Sequence, residues 1–352
     1  SFMNSKKIKI LITGGCGFVG SNLCIFLKNL GFKVFSLDNL SRKGSNINKK
    51  RLELKKIKNF KYDISNNKKI RLLPKFDFII DCCAEPSVEA SRKSDKDAIR
   101  VFKTNLEGTL NILLKCVKDS SKIIFLSSSR VYSIDSLNKL NKFKKIIKKP
   151  LKIKKSIDLK FDNRSPKTIY GFTKLASEEL IKEFSYANKI KYIINRCGVI
   201  SGPWQMGKVD QGFVSFFIWN ILNKRNIKFI GYGGHGYQER DLLHIDDLNE
   251  LILKQIRKFE KLHNKSFTVG GGEKNLISLK SLKIKIEKIT GNKVKSIPVN
   301  STSVYDIPYF LTNNNIIKKT YNWAPKKNIN NILNDIYKWQ IENTKFISKI
   351  FK

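Results

Sequence analysis

The stretch from Ile8 to Asp38 constrains this chain more than any other. Ile8-Lys9-Ile10-Leu11-Ile12 is a short apolar run that ends in Thr13-Gly14-Gly15-Cys16-Gly17-Phe18-Val19-Gly20. A helical pattern continues through Asn29, and a second short run, Lys33 to Leu37, closes on Asp38. Strand, glycine turn, helix and strand make one βαβ unit. The turn fits two overlapping templates, Gly15-x-Gly17-x-x-Gly20 and Thr13-Gly14-x-x-Gly17-x-x-Gly20. One glycine permits the tight turn, another lets the backbone approach a pyrophosphate, and a third lets helix and strand pack closely. The pyrophosphate then rests on the helix N-terminus. A carboxylate at Asp38 can accept both hydroxyls of a ribose and would repel a 2′-phosphate. The pattern predicts a dinucleotide site that favours NAD over NADP, although Arg42 and Lys43 close behind leave NADP open.

The alternation continues. Strand-like runs fall at Phe76–Asp81, Ile123–Ser127 and Tyr192–Asn195, with helical patterns at Asp97–Lys118 and Thr173–Ala187. This predicts an α/β chain built on a Rossmann-type, doubly wound parallel sheet. Beyond Gly202-Pro203 the regularity fades and glycine clusters appear, Gly231 to Gly236 and Gly270 to Gly272. We expect an NAD-binding domain over 1–195 and a smaller C-terminal substrate-binding domain over 196–352, with part of 239–268 returning to the first.

Composition narrows the function. At 41% hydrophobic the 352-residue chain is globular, which excludes a disordered protein. Its 69 basic against 29 acidic residues give a net charge of +40, which raises nucleic acid as a partner. The basic residues are spread through nearly every segment and alternate with Asn and Ile, so we expect an anionic small substrate and no nucleic acid. Six cysteines without a CxxC pair predict reduced thiols in a cytoplasmic protein. Three scattered histidines and no HExxH predict no metal. No apolar run approaches the ~20 residues of a membrane span. Ser1-Phe2 ahead of Met3 reads as a cloning remnant rather than a secretory leader.

Two further patterns carry chemistry. Tyr170-Gly-Phe-Thr-Lys174 opens a helix and sets Tyr170 and Lys174 on one face, at i and i+4. An ammonium beside a phenol favours the phenolate, which can take a proton from a hydroxyl. Ser127-Ser128-Ser129-Arg130-Val131-Tyr132 puts hydroxyls at the carboxyl end of a core strand, where ligands bind in open α/β sheets.

Together, the glycine turn, Asp38-Asn39-Leu40-Ser41-Arg42, Asp63-Ile64, the serine strand end and YxxxK resemble the extended short-chain dehydrogenase/reductase superfamily of nucleotide-sugar epimerases and dehydratases. The likeness runs over essentially the whole chain. Arg240-Asp241-Leu-Leu-His244-Ile-Asp-Asp247 is similar to the family's RDxxHVxD segment. Asp210-Gln211-Gly212-Phe213-Val214 and Gln238-x-Arg240-Asp241 look most like a subfamily of CDP-sugar 2-epimerases.

The resemblance implies NAD as cofactor, a nucleotide sugar as substrate and a homodimer or tetramer built through the two long helices. It makes Tyr170 the base, Lys174 the holder of the nicotinamide ribose, and Ser128 the hydrogen-bond partner of the reacting hydroxyl. Gly14, Gly17, Phe18, Val19 and Gly20 would meet the cofactor, as would Asp38, Asn39, Ser41 and Arg42. Asp63 and Ile64 would border the adenine, while Ala84, Asn105 and Cys197 line the rest. Arg196, Val199, Gln211, Gln238 and Arg240 would join Ser128 around the substrate.

Departures from the family pattern bear on the reaction. The family's RxxN stands here as Arg196-Cys197-Gly198-Val199, without the amide. The Asp-Glu pair that dehydratases carry after the active-site Ser/Thr is Ser129-Arg130 here. By that resemblance elimination of water is disfavoured and epimerisation, which needs no second acid or base, is expected. The alternatives are another nucleotide-sugar 4-epimerase or a net reductase of the same superfamily and, behind these, a non-catalytic dinucleotide- or nucleic-acid-binding protein. Finally, the basic stretch Lys139 to Lys155 is expected as a surface excursion, with Phe143, Ile146 and Ile147 on one face of a short helix that Pro150 stops.

Overall fold

A computed structural model describes residues 4–86, 92, 94–207 and 212–351. The chain divides into two compact units, of 1–131, 168–196 and 249–267, and of 132–167, 197–248 and 268–352.

The first unit holds β1 (Lys9–Thr13), β2 (Lys33–Leu37), β3 (Lys58–Phe60), β4 (Phe78–Asp81), β5 (Lys122–Ser128), β6 (Tyr192–Cys197) and the strand Lys265–Val269. They form one seven-stranded sheet in the order Lys265–Val269, β6, β5, β4, β1, β2, β3. Ile10, Leu11 and Ile12 of β1 are fully buried, as expected of a central parallel strand covered on both faces. The register brings strand ends level: Thr13 lies opposite both Leu37 and Asp81, and Asp81 opposite Phe125. From β1 the chain winds outward through β2 and β3, then returns to β1's other edge as β4. That reversal is the switch point where open α/β sheets bind ligands, beyond the strands' carboxyl ends.

Two long helices cover this sheet. One runs from Asp95 to Asp119 and carries a π-helical turn, Lys103–Glu107. The other, Ile169–Asn188, starts where Thr168 accepts the N–H of Gly171 at 2.9 Å. It packs on β5 and on the turn Ser129–Val131 after it.

The second unit has its own sheet. Glu239–His244 pairs in parallel with Val199–Ser201 and Tyr309–Phe310 and antiparallel with Leu276–Ser278. Helices Phe213–Leu222, Leu279–Thr290 and Ile329–Glu342 enclose a core that includes Phe217, Leu242, Ile286, Leu333 and Trp339.

The two units divide the chain differently from the expected domain bounds: 132–167 groups with the second unit, which is nearly as large as the first. Long-range ties hold that excursion: Ile157 bridges to Thr312, and the Ile147 N–H donates to the Tyr232 carbonyl at 3.0 Å. The basic stretch forms no helix after Ile134–Lys139. Lys142 and Phe143 take left-handed backbone (φ 52° and 54°) instead, so Ile147 is buried while Phe143 and Ile146 stay exposed.

Candidate active site

The glycine turn is close-packed for reasons the backbone makes explicit. Gly14 sits at φ 65°, and a Cβ there would stand 2.9 Å from the Cα of Cys83. A Cβ at Gly20 would fall 2.1 Å from the Gly14 carbonyl oxygen. Gly17 precedes the helix Phe18–Asn29 and offers no side chain to its first N–H groups. Those uncapped donors and the helix dipole favour a diphosphate. Phe18 and Val19 open the helix, both half-buried.

Asp38 lies past the end of β2. Its Oδ2 accepts the Cys16 N–H at 3.0 Å and its Oδ1 the Leu40 N–H at 2.8 Å, which aims the carboxylate across the glycine turn. Burial pushes this carboxyl above its ordinary range, and the two backbone donors oppose the rise. Each oxygen keeps a second lone pair for a ribose hydroxyl. Uncapped helix donors and an aimed carboxylate together fit the NAD expected from the sequence. Nearby, Asn39 accepts the Ser41 N–H, and Ser41 and Arg42 are exposed. Asp63 is exposed and accepts from Ser65, while Ile64 is buried against Gly108. Ala84 is half-buried just beyond β4.

The proton-transfer residues stand on the same unit. Ser128 closes β5, its Oγ accepting the Arg130 N–H at 3.1 Å. Tyr170 is half-buried in the first turn of its helix. Lys174 is buried, with its Nζ 4.4 Å from the centroid of the Phe125 ring. Asp81 supplies opposite charge nearby: burial raises its carboxyl pKa, opposed first by the Lys174 ammonium and then by hydrogen bonds. Asp81 is itself fixed by the Thr13 hydroxyl at 2.6 Å.

Two residues expected at the ligands, Asn105 and Arg196, also brace the fold. Asn105, in the π-helical turn, takes the Glu85 N–H at 2.8 Å and donates to the Glu85 carbonyl and the Thr173 hydroxyl, both at 3.1 Å. Thr173 in turn donates to the Tyr170 carbonyl at 2.7 Å. Asn105 therefore fixes the turn that carries Tyr170. A π-turn widens the helix locally, which gives the amide room to reach across. Arg196, 6% exposed, forms a forked ion pair with the fully buried Glu178: its Nη2 donates to Oε1 at 2.9 Å and its Nε to both oxygens at 3.1 Å. A buried guanidinium needs such a countercharge.

Sequence reasoning passed over Glu178, although the signal was there. Tyr170, Lys174 and Glu178 recur every four residues on one helix face. Glu178 also takes the Ser127 hydroxyl at 2.6 Å. One carboxylate thus ties the Tyr170 helix to β6 and to the strand end that presents Ser128.

In the second unit, Arg240 donates to the carbonyls of Glu239 and Ile307 at 2.8 and 2.7 Å, and Gln238 to that of Ile230 at 2.9 Å. Val199 opens a short strand, and Cys197 is buried just before it. Gln211 lies outside the described residues. His244, Asp246 and Asp335 come together with the donor types of a cation site. Lys327 already binds both carboxylates at 2.8 Å, and the Asp246 N–H donates to His244 Nδ1, leaving Nε2–H for Asp335.

A nucleotide cradle on one side of the switch point and a Ser-Tyr-Lys set on the other define a dinucleotide-dependent enzyme that works on a hydroxyl group. The chain matches the NAD dependent epimerase/dehydratase family over residues 10–270 and belongs to it. It is 28% identical to CDP-paratose 2-epimerase of Salmonella typhi, over 94% of this chain and 99% of that one. It is 29% identical to UDP-glucuronate 4-epimerase of Thermodesulfobacterium geofontis, over 97% and 98%. Among solved structures, UDP-glucuronic acid 4-epimerase from Bacillus cereus, in complex with UDP-glucuronic acid and NAD, is similar in fold, with a TM-score of 0.80 at 22% identity. The likeness covers 96% of this chain and 100% of that one.

Proposed function

We propose that this protein epimerises a CDP-linked sugar at carbon 2, as the name of its Salmonella typhi relative describes. The observation that carries this reading is the pair of residues directly after Ser128. Ser129 and Arg130 occupy those two positions, so no carboxylate adjoins the hydroxyl to drive an elimination. Full-length likeness to a CDP-paratose 2-epimerase supports the choice of nucleotide and carbon.

When bound, NAD supplies the hydride acceptor and donor that interconverts a sugar hydroxyl and a ketone. The donors after Gly17 hold its diphosphate and Asp38 its adenosine ribose. Lys174 holds the nicotinamide ribose. Ser128 hydrogen-bonds the reacting hydroxyl, and the Tyr170 oxygen takes that hydroxyl's proton and later returns it to the same oxygen, once the ring has turned its opposite face to the hydride. Asn105 and Glu178 keep Tyr170 and Ser128 in position. Gln238 and Arg240 serve the diphosphate of the sugar nucleotide.

The test is to give the NAD-loaded protein CDP-, UDP-, GDP- and dTDP-sugars and read the products by NMR. Inversion at carbon 2 of a CDP-sugar is expected. Inversion at carbon 4 of a UDP-sugar would transfer the assignment to the 4-epimerases, and loss of water would overturn it.

A further inference from the structure

The second unit carries a cleft of about 600 Å³, within the range of small-molecule sites. It lies on the face of the strand Glu239–His244 that Glu239 borders. Successive strand residues point to opposite faces, so Arg240 faces the other way, and neither Arg240 nor Gln238 lines the cleft. This is a separate place from the one assigned to the nucleotide sugar.

Its chemistry is one-sided. Lys274, Lys280 and Lys285 line it, against the single carboxylate of Glu239. Among the described residues none of these lysines is in an ion pair, whereas Lys283, on the same helix, pairs with Glu287 at 3.2 Å. Two of the three ammonium groups are held by neutral partners. Lys280 Nζ donates to the Tyr237 hydroxyl at 3.1 Å and lies 5.0 Å from that ring's centroid. Lys285 Nζ donates to Asn330 Oδ1 at 3.4 Å. Burial raises the Glu239 carboxyl above its ordinary range. Ile277 and Ile329, both nearly buried, form an apolar floor.

We propose that this cleft binds a phosphate-bearing small molecule, its phosphate held by Lys280 and Lys285 and its uncharged part on the isoleucine floor. Ammonium groups without countercharge repel one another, and a dianion bound between them removes that cost. Nucleotides and sugar phosphates share this chemistry.

The full-length, NAD-loaded protein with 13C-labelled isoleucine methyls would be titrated with inorganic pyrophosphate, CMP and glucose 1-phosphate. Ile277, Ile284 and Ile329 report on the cleft. Their signals should shift with at least one of the three probes, and CMP against glucose 1-phosphate separates a nucleotide from a sugar phosphate. The double variant Lys280→Gln, Lys285→Gln should weaken that binding about tenfold or more, the worth of a lost charge-assisted hydrogen bond. Arg240→Gln should leave it unchanged, which separates this site from the nucleotide-sugar site. Lys274→Gln serves if the double variant does not fold. No shift with any probe, or a shift that survives the lysine changes, would overturn the proposal.

Discussion

Asp38 and Tyr170 do different work, and single substitutions should separate them. Asp38→Ala removes the ribose acceptor together with the acceptor of the Cys16 and Leu40 N–H groups, while the strand end keeps its backbone bond from the Asp38 N–H to the Phe60 carbonyl at 3.1 Å. NAD affinity should fall by about 1.5–3 kcal/mol, the value of a hydrogen bond to a charged group. Calorimetric titration reads this directly, and an unchanged affinity would reduce Asp38 to a loop cap. Tyr170→Phe removes one oxygen and spares the turn, because the neighbouring braces bind the Tyr170 carbonyl and not its ring. Turnover should be lost while NAD and substrate still bind. Near-normal turnover would make the Tyr-Lys spacing a coincidence of a lysine-rich chain. These residues were legible in the sequence because each belongs to a local pattern: a glycine turn, a strand end, a helical i, i+4 pair. For Arg196 and Asn105 the positions were legible, but their partners within the fold were not. Whether a guanidinium meets a phosphate or a glutamate eighteen residues upstream depends on how helix and strand pack, and no local pattern records that.

At the scale of elements, the Tyr170 helix is fastened to the sheet by the Glu178–Arg196 pair. Glu178→Ala would strand a buried guanidinium, and breaking such a pair costs about 3–5 kcal/mol. Urea unfolding of the first unit should show the loss, with activity falling at temperatures where the fold survives, since Ser127 loses its partner too. A change below about 1 kcal/mol would mean the pair contributes little, as surface pairs do. A second tie is solvent-exposed and so smaller. Glu260 binds Lys122 of β5 and Lys191 beside β6 at 2.5 and 2.8 Å, which holds its carboxyl down to about 2 from 4.5. A depressed folded pKa stabilises above the unfolded value and is lost as pH falls through the folded one. Glu260→Gln should therefore cost under about 1 kcal/mol at pH 7, with the gap closing below pH 4.5. A gap constant from pH 7 to pH 3 would contradict this. The β-α alternation behind the sheet was readable from apolar periodicity. The assignment of 132–167 was not, because its ties to Tyr232 and Thr312 lie far along the chain.

For the whole molecule, the two long helices leave apolar side chains exposed: Ile99, Phe102, Leu114 and Val117 on one, Tyr186 on the other. We infer that a second copy covers them, so light scattering at micromolar concentration should give a dimer or tetramer mass. A monomer would contradict the inference. The charge of +40 fits the capture of an anionic substrate, and association should slow as salt rises. The proposed function requires an epimerase that returns the same hydride it removes. Turnover of a CDP-sugar by the NAD-loaded protein in deuterium oxide, read by NMR at the inverted carbon, tests this most directly. The prediction is an inverted centre that keeps its original hydrogen, with no net NADH formed. Deuterium at that carbon would mean exchange with solvent through deprotonation, and the account would be wrong.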